Sequence, residues 1–340
     1  MRSRLKDVAA VAGVSVRTVS NVVSGSAAVA EETRARVQAA LDELGYRPNL
    51  AARNLRAGRT GLIGLAIPEL HSPYFSELAG LLVDAAQQRS WTVVIDQTSG
   101  DPEAERRLLQ DGGGRLVDGL IISPWSVSPE ELALHARDVP VVLLGEQDPN
   151  GAADRVAVDN VLAADQATTH LIETGCRRIA AIGLQPHLHN GTARQRLDGY
   201  RHALRRAGLT PDPALEKAVT ALHRRDGAKA MTALLESGTR PDAVFAFSDE
   251  LALGALHVAW QSGLRVPHDL AVVGFDDVED ARYSTPPLTT VVPDKRQIAE
   301  RALQCLVDRI RDPAADVPAL DVVVPHRLEV RGSTRPAATD

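Results

Sequence analysis

The sequence has few cysteines and no long apolar run. Its two cysteines, Cys176 and Cys305, lie far apart, which excludes both a disulfide framework and a zinc-binding spacing. No stretch approaches the ~20 apolar residues that a membrane span needs. The N-terminus is basic and lacks an apolar core, so we expect no secretory signal. These absences favour a protein of the reducing cytoplasm.

Motifs that carry chemistry are also scarce. The run that starts at Gly61 lacks the third glycine and the helix start of a dinucleotide-binding fingerprint. The glycines at 112–114 have no phosphate-loop frame around them. His187 and His189 lie in a polar loop, where a solvated surface pair is the ordinary interpretation. Since no nucleophile–base set is apparent either, we expect no enzyme activity, no cofactor and no metal site.

Charge is divided unevenly along the chain. Residues 1–60 contain ten Lys or Arg and five Asp or Glu, a net charge of +5. Because the whole chain carries −6, the remaining residues carry −11. A basic head on an acidic body is the pattern expected of a protein whose head binds a polyanion such as nucleic acid.

The first residues have the pattern of a helix-turn-helix. Leu5, Val8, Ala9 and Ala12 follow the spacing i, i+3, i+4, i+7, which predicts a helix with one apolar face. Gly13 can adopt the positive φ that ends such a helix. A second helix is then predicted directly after the turn.

That second helix presents a polar outer face. Ser15 is placed to cap it, and Val19 turns inward. Arg17 and Asn21, four residues apart, share the outer face with Val16. Arg suits guanine, Asn suits adenine, and valine can touch a thymine methyl group. Two further hydroxyls suit phosphates, those of Thr18 and Ser20. The alternative is a helical hairpin with a merely solvated face.

Two following segments weigh against that alternative. Residues 31–44 predict a third amphipathic helix, ended by Gly45, which closes a three-helix core. Residues 49–56 form a helix-prone stretch that is too short to be stable alone. We expect it to form when packed on a partner copy and in the minor groove of DNA.

From residue 60 onward, apolar runs of strand length alternate with helix-length segments. The runs are 62–67, 91–95, 119–122, 141–144, 179–182, 243–247 and 271–275. This alternation predicts parallel sheets covered by helices. The length of the body predicts two doubly wound α/β lobes.

An ordered set of motifs resembles the LacI/GalR family of bacterial transcription regulators. The motifs are LKDVA (5–9), AGVS (12–15), TVS (18–20), TR (33–34), GYRPN (45–49), FSD (247–249), GLRVP (263–267), VGFDD (273–277) and PLTTV (287–291). The resemblance implies a body like the periplasmic sugar-binding proteins, in which three crossings join the lobes. We place the crossings near Asp159, Thr290 and Leu320.

The predicted domains follow from these crossings. A helix-turn-helix DNA-binding domain covers residues 1–47, a hinge helix and linker 48–60, and a two-lobe effector-binding domain 61–335. Lobe 1 is predicted over about 61–159 and 291–320. Lobe 2 is predicted over about 160–290 and 321–335.

The resemblance also implies roles for individual head residues. Val16, Arg17 and Asn21 fall where family members contact operator bases. Leu55 falls where a leucine wedges between base pairs in the minor groove. Its neighbours complete the predicted DNA-binding set: Asn49, Ala52 and Arg53. Without the upstream motifs, Leu55 would be read as an ordinary apolar helix residue.

Ligands of doubly wound sheets bind beyond the carboxyl ends of the strands, and two lobes form a cleft there. Residues at or near these ends are the ligand-binding candidates: Ser72, Tyr74, Phe75, Trp125, Asn190, Thr192, Arg196, Leu222, Asp249 and Asp276. The resemblance implies effector contacts, commonly to sugars or nucleobases, from Asp159, Arg196, Asp249 and Asp276. For Arg196 and Asp276 the alternative is an ion pair between the lobes without a ligand.

Aromatic residues are few in this chain, with 3 Trp, 4 Tyr and 4 Phe. Leu222 occupies the position at which several family members carry an aromatic residue. We therefore expect Tyr74, Phe75 or Trp125 to stack on the ligand ring instead. Packing in the core or at a dimer contact is an equal alternative for these three. The other two tryptophans, Trp91 and Trp260, are read as packing residues.

Together with the resemblance, the sequence predicts a ligand-responsive transcription regulator, a repressor. It would bind a palindromic operator as a dimer and a small effector, a sugar, in the cleft, and the effector would change operator affinity. A free sugar-binding module and a Rossmann enzyme are the alternatives from other classes.

Overall fold

The computed structural model describes residues 4–24, 28–46, 59–110, 116–135, 139–188, 191–313 and 317–334. The chain forms two compact units, Met1–Gly61 and Leu62–Asp340. The first unit is helical, and the second contains two sheets. Among the described residues, no helix is both long enough and apolar enough to cross a membrane.

The helices described in the first unit are α1 (Leu5–Ala12), α2 (Val16–Ser24) and α3 (Glu31–Glu43). Gly13 ends α1 in the left-handed conformation, with φ at 64°. The buried core consists of Val8, Ala9, Ala12, Val19, Val37 and Ala40. These are the apolar faces that the spacing predicts, and the helix-turn-helix prediction is confirmed.

The second unit alternates strands and helices. Its described strands are β1 (Leu62–Ile67), β2 (Thr92–Gln97), β3 (Gly119–Ile122), β4 (Val141–Leu144), β5 (Asp154–Val158), β6 (Ile179–Leu184), β7 (Glu216–Ala218), β8 (Ala243–Ala246), β9 (Ala271–Phe275), β10 (Thr289–Pro293), β11 (Asp321–Val324) and β12 (His326–Glu329). Its described helices are α4 (Pro73–Gln88), α5 (Pro102–Gln110), α6 (Pro129–His135), α7 (Asn160–Glu173), α8 (Gly191–Arg206), α9 (Arg224–Glu236), α10 (Asp249–Gln261), α11 (Glu279–Tyr283) and α12 (Lys295–Arg311), with a short 3-10 helix at Pro213–Leu215.

Each lobe contains one six-stranded sheet. The strand order is β11-β5-β4-β3-β1-β2 in lobe 1 and β12-β10-β9-β8-β6-β7 in lobe 2. Every pair is parallel except β10 with β12. The order reverses between β1 and β3 in lobe 1, and between β6 and β8 in lobe 2. Such switch points are where doubly wound sheets bind ligands.

Burial explains the continuous apolar runs. All residues of β3 and β4 are buried, because helices cover both faces of their sheet. In lobe 1, α4 and α12 cover one face through Leu82 and Leu303, and α5 and α6 cover the other through Leu109 and Leu132.

The lobe boundaries predicted near Thr290 and Leu320 lie a few residues before the ends of β10 and β11. Strand β10 runs on to Pro293 in the lobe 2 sheet, and β11 joins the lobe 1 sheet before the chain crosses at Pro325. Strand β11 lies in lobe 1 because all four of its residues pair in parallel with β5. An ion pair accompanies this pairing, since Arg155 of β5 donates to both carboxylate oxygens of Asp321, at 2.8 Å each.

Trp260 also differs from the prediction. Its side chain is 76% exposed and stacks on His257 with ring centroids 6.4 Å apart. Trp91, in contrast, packs against the lobe 1 core as expected. An apolar ring on a helix is not by itself evidence of burial, because folded surfaces retain apolar side chains.

Candidate functional site

The outer face of α2 is the first candidate surface. Val16 is 46% exposed and Arg17 is exposed, whereas Val19 on the opposite side is fully buried. The Ser15 hydroxyl accepts the Thr18 N–H at 3.1 Å, as the predicted helix cap should. Asn21 and Ser20 are partly exposed. A partner could therefore contact the outer face of α2, which is formed by Val16 and polar residues, while Val19 stays in the core.

Several predicted residues lie outside the described part of the chain. They are Asn49, Ala52, Arg53 and Leu55 of the proposed hinge helix, and Asn190 of the cleft. Their roles stay predictions.

The second candidate is a cleft of about 890 Å³, its open mouth included, between the two lobes. It lies at the switch points of both sheets. Eight of the predicted ligand-binding residues line it: Ser72, Tyr74, Phe75, Trp125, Thr192, Arg196, Leu222 and Asp276. The topology thus brings together residues that are up to two hundred positions apart in sequence.

Arg196 is the central cation of the cleft. It projects from α8, is only 7% exposed, and lies over the Phe275 ring with its guanidinium carbon 3.5 Å from the centroid. Its Nε donates to Asn160 Oδ1 at 2.7 Å, and Nη1 donates to the Phe247 carbonyl. These contacts fix the plane of the guanidinium group before any ligand arrives.

Asp276 faces Arg196 across a short gap. The distance from Arg196 Nη2 to Asp276 Oδ1 is 3.9 Å, too long for a direct hydrogen bond. Burial raises the pKa of Asp276 to about 7, although Arg196 and Lys295 oppose the increase. The backbone φ of Asp276 is 112°, a strained conformation of the kind found at binding sites. A ligand hydroxyl group in the gap would satisfy both side chains.

Glu146 contributes a carboxylate from lobe 1. It follows β4 and accepts hydrogen bonds from two residues of lobe 2, from Asn160 Nδ2 at 2.5 Å and from the Thr192 hydroxyl. Glu146, Asn160 and Arg196 therefore form a continuous hydrogen-bonded chain that crosses the cleft.

Aromatic rings form the lobe 1 wall of the cleft. Tyr74 and Phe75 meet edge to face with centroids 5.2 Å apart, and Phe75 lies 6.5 Å from Trp125. Fully buried Glu105 holds the Trp125 loop, because its carboxylate accepts the N–H groups of residues 125, 126 and 127 at 2.8–3.0 Å. Gly100 is needed beside it, since a Cβ there would lie 2.7 Å from the indole ring.

Two predicted ligand-binding residues do not reach the cleft. Asp159 is exposed and caps α7, accepting the Leu162 N–H at 2.9 Å. Asp249 is fully buried, and its carboxylate accepts from Val278 N and the Thr290 hydroxyl. Burial also raises the pKa of Asp249 well above its usual value.

Sequence reasoning missed the residue next to Asp159. Asn160 is fully buried and orients Arg196, whereas its neighbour points to solvent. Glu250 lines the cleft where Asp249 was expected. Successive residues at the start of a helix project about 100° apart, so a shift of one position changes what a side chain contacts. Nothing in the sequence distinguishes the two members of each pair.

The comparisons with known proteins agree with this architecture. Residues 4–49 match the family described as bacterial regulatory proteins, lacI family, and residues 168–334 match a periplasmic binding protein-like domain. The ribose operon repressor of Escherichia coli (strain K12) is 37% identical over 312 residues, which cover 91% of this chain and 93% of that repressor. This chain belongs to the LacI family.

Two solved structures extend the LacI-family comparison over nearly the whole chain. The transcriptional regulator CelR in complex with cellobiose is 34% identical and has a TM-score of 0.73, with 98% of this chain and 100% of that chain covered. The Lac repressor dimer bound to operator and the anti-inducer ONPF is 29% identical and has a TM-score of 0.83, with 98% and 99% covered. The predicted helical head and two parallel-sheet lobes are confirmed.

Proposed function

We propose that this LacI-family protein is a transcriptional repressor that acts in the cytoplasm and is not an enzyme. It binds a palindromic operator as a homodimer through α2, with base contacts from Val16, Arg17 and Asn21. Thr18 and Ser20 contact phosphates. The predicted hinge residues Asn49, Ala52, Arg53 and Leu55 enter the minor groove at the centre of the site.

The effector is a sugar, and it binds in the interlobe cleft. The observation that carries this proposal is the 3.9 Å gap between Arg196 Nη2 and Asp276 Oδ1, beside a wall of three aromatic rings. Guanidinium and carboxylate groups can each hydrogen-bond to two neighbouring hydroxyl groups of a polyol. The aromatic wall covers the apolar C–H face of a sugar ring.

Effector binding is coupled to DNA binding through the lobes. Glu146 joins lobe 1 to Thr192 and Asn160 of lobe 2, so occupancy of the cleft biases the lobe arrangement. Such coupling is typically worth about 1–3 kcal/mol, and it is reciprocal. An effector that changes operator affinity must therefore bind with a different affinity when the operator is present.

The first test measures DNA binding. The purified full-length protein is titrated with labelled DNA from upstream of its own gene at two salt concentrations. We expect nanomolar-range, salt-sensitive binding in wild type. Arg17→Ala should cost about 1–3 kcal/mol on this DNA. Arg36→Ala, which removes an equal charge from an exposed site on α3, should cost less. Binding that is absent or insensitive to salt favours a free sugar-binding module and contradicts the repressor.

The second test identifies the effector. A panel of sugars and nucleobases is screened by thermal shift, since a ligand that binds the folded state raises Tm by mass action. We expect a sugar to raise Tm and to alter operator affinity in the same preparation. A response to nucleobases alone contradicts the sugar assignment and leaves the repressor proposal intact.

A further inference from the structure

A cluster of metal-donor side chains lies next to the cleft and is not used by the proposed effector site. Glu69, His71 and His223 each offer one ligand atom, and these atoms lie within 4.8 Å of one another. Among the residues that the structure describes, this is the one group of three or more His, Cys, Asp or Glu side chains that meets this condition.

The cluster joins the two lobes. Glu69 and His71 lie in the loop between β1 and α4 of lobe 1, and His223 immediately precedes α9 of lobe 2. Their chain neighbours Ser72 and Leu222 line the cleft. His71 is exposed, and Glu69 and His223 are partly exposed. An ion from solvent can therefore reach the cluster without unfolding either lobe.

One pair of these donors has the spacing of two ligands of a tetrahedral ion. His223 Nε2 lies 3.4 Å from Glu69 Oε1. Two ligand atoms that are each about 2.0–2.1 Å from a tetrahedral Zn²⁺ lie about 3.3 Å apart. The rings of His71 and His223 have centroids 5.1 Å apart and are tilted by 39°, so they are not stacked face to face.

The second nitrogen of His223 has its own carboxylate partner. Nδ1 lies 3.4 Å from Glu250 Oε2, and the other oxygen of Glu250 lies 3.4 Å from Arg224 Nε. A carboxylate on the far nitrogen of a histidine is the usual support of a metal-binding imidazole, because it fixes the ring and raises its basicity. Glu250 also lines the effector cleft.

We propose that Glu69, His71 and His223 bind a zinc-class divalent cation that bridges the two lobes, with Glu250 positioning His223. Two histidines and one carboxylate leave the fourth tetrahedral position to water or to an oxygen of a cleft ligand. Because the donors come from both lobes, the bound ion favours the lobe arrangement seen here. This site does not depend on what the head binds.

The test uses Zn²⁺ and Co²⁺ alone with the metal-free, full-length protein. Competition against a chromophoric chelator should give one tight Zn²⁺ per chain, and Co²⁺ should show the absorption of tetrahedral coordination. Glu250→Gln should weaken Zn²⁺ binding about 10- to 100-fold. His71→Ala, at an exposed position, should weaken it at least as much and abolish the rise in Tm that Zn²⁺ produces in wild type.

His187→Ala is the matched control, because His187 is exposed in lobe 2 and lies outside the cluster. Its Zn²⁺ affinity should equal that of wild type. The proposal is overturned if His71→Ala and Glu69→Gln bind Zn²⁺ as tightly as wild type. It is also overturned if His187→Ala loses the ion, since the site would then lie elsewhere. Neither result bears on operator or sugar binding.

Discussion

The head and the body expose their functional side chains to very different degrees. In the head, Val16 and Arg17 stand in solvent on a helix whose other side is anchored by buried Val19. In the body, Arg196 and Asp276 are each less than 10% exposed, and Asn160 and the Phe247 carbonyl hold Arg196 in place. A surface for a large partner needs only a stable support, whereas a cleft for a small ligand needs its polar groups oriented in advance.

This difference predicts that mutations affect stability and binding separately in the head but together in the body. In the head, we expect stability and operator binding to depend on different residues of one helix. In the body, we expect the proposed ligand-binding residues to serve both, because a buried polar group such as Arg196 also satisfies its neighbours.

The largest effect is expected for Arg196→Ala. The change leaves Asn160 Oδ1 and the Phe247 carbonyl without their donor and Asp276 without its counter-charge. Losing a buried charged partner costs about 2–5 kcal/mol, so effector affinity should fall by about 30-fold or more and the body should unfold at lower temperature. Calorimetry with and without effector measures both. Unchanged effector affinity would show that the guanidinium group does not bind the ligand.

The second prediction concerns pH. Because burial raises the pKa of Asp276 to about 7, the folded protein holds this proton more tightly than the unfolded chain does. The resulting stabilisation is complete below about pH 4 and is lost as the pH rises through 7. Free energies of unfolding from urea titrations of the ligand-free protein should show this loss. Asp276→Asn should remove the part of this loss that Asp276 contributes.

Asp84→Asn is the control for that series, since Asp84 is exposed on α4. It should keep the wild-type pH dependence. Equal slopes for wild type and Asp276→Asn between pH 4 and 7 would contradict the assignment. Asp249 also has a raised pKa, so part of the slope should persist in the variant.

The third prediction compares two valines of α2. Val19→Ala opens a cavity in the small core of the head and should cost about 2 kcal/mol of head stability. Val16→Ala should leave stability unchanged and reduce operator affinity by removing an apolar contact. Thermal unfolding of each variant measures the effect on stability, and titration of each variant with operator DNA measures the effect on affinity. If Val16→Ala unfolds the head, the outer face is structural and not a binding surface.

The smallest effect is expected for Asp159→Ala. Loss of the α7 cap should cost about 1 kcal/mol of stability and leave effector affinity unchanged. Asn160→Ala at the next position should weaken effector binding, because it frees the guanidinium plane of Arg196. Ligand titrations of both variants test this pair. The reverse pattern would restore Asp159 as a ligand contact.

The head and the body also differ in how much of their structure could be predicted from the sequence. The helix-turn-helix was predictable because the outer and inner faces of α2 depend only on residue spacing along one helix. The apolar runs of the body were predictable because buried parallel strands are apolar throughout. Short strands such as β7, β11 and β12 were not identified, since their burial is partial and their pairing depends on distant residues.

The cleft was predictable only in part. Strand ends indicated Tyr74 and Trp125 because the carboxyl ends of parallel strands share one edge. It could not be predicted that Asn160 orients Arg196, or that Glu250 and not Asp249 lines the cleft. Each of these two residues lies next to the expected aspartate at a helix start, and the orientation of the helix decides what each side chain contacts.

The sequence by itself determined the basic helical head, the α/β rhythm of the body and the family to which both belong, because these depend on local spacing, charge and motifs. Only the tertiary structure decided that Arg196 and Asp276 meet across 3.9 Å, that Asn160 and Glu146 link the lobes, and that Glu69, His71 and His223 converge. Residues far apart in sequence become neighbours through sheet order and chain crossings. Their distances and pKa values are therefore set by the fold.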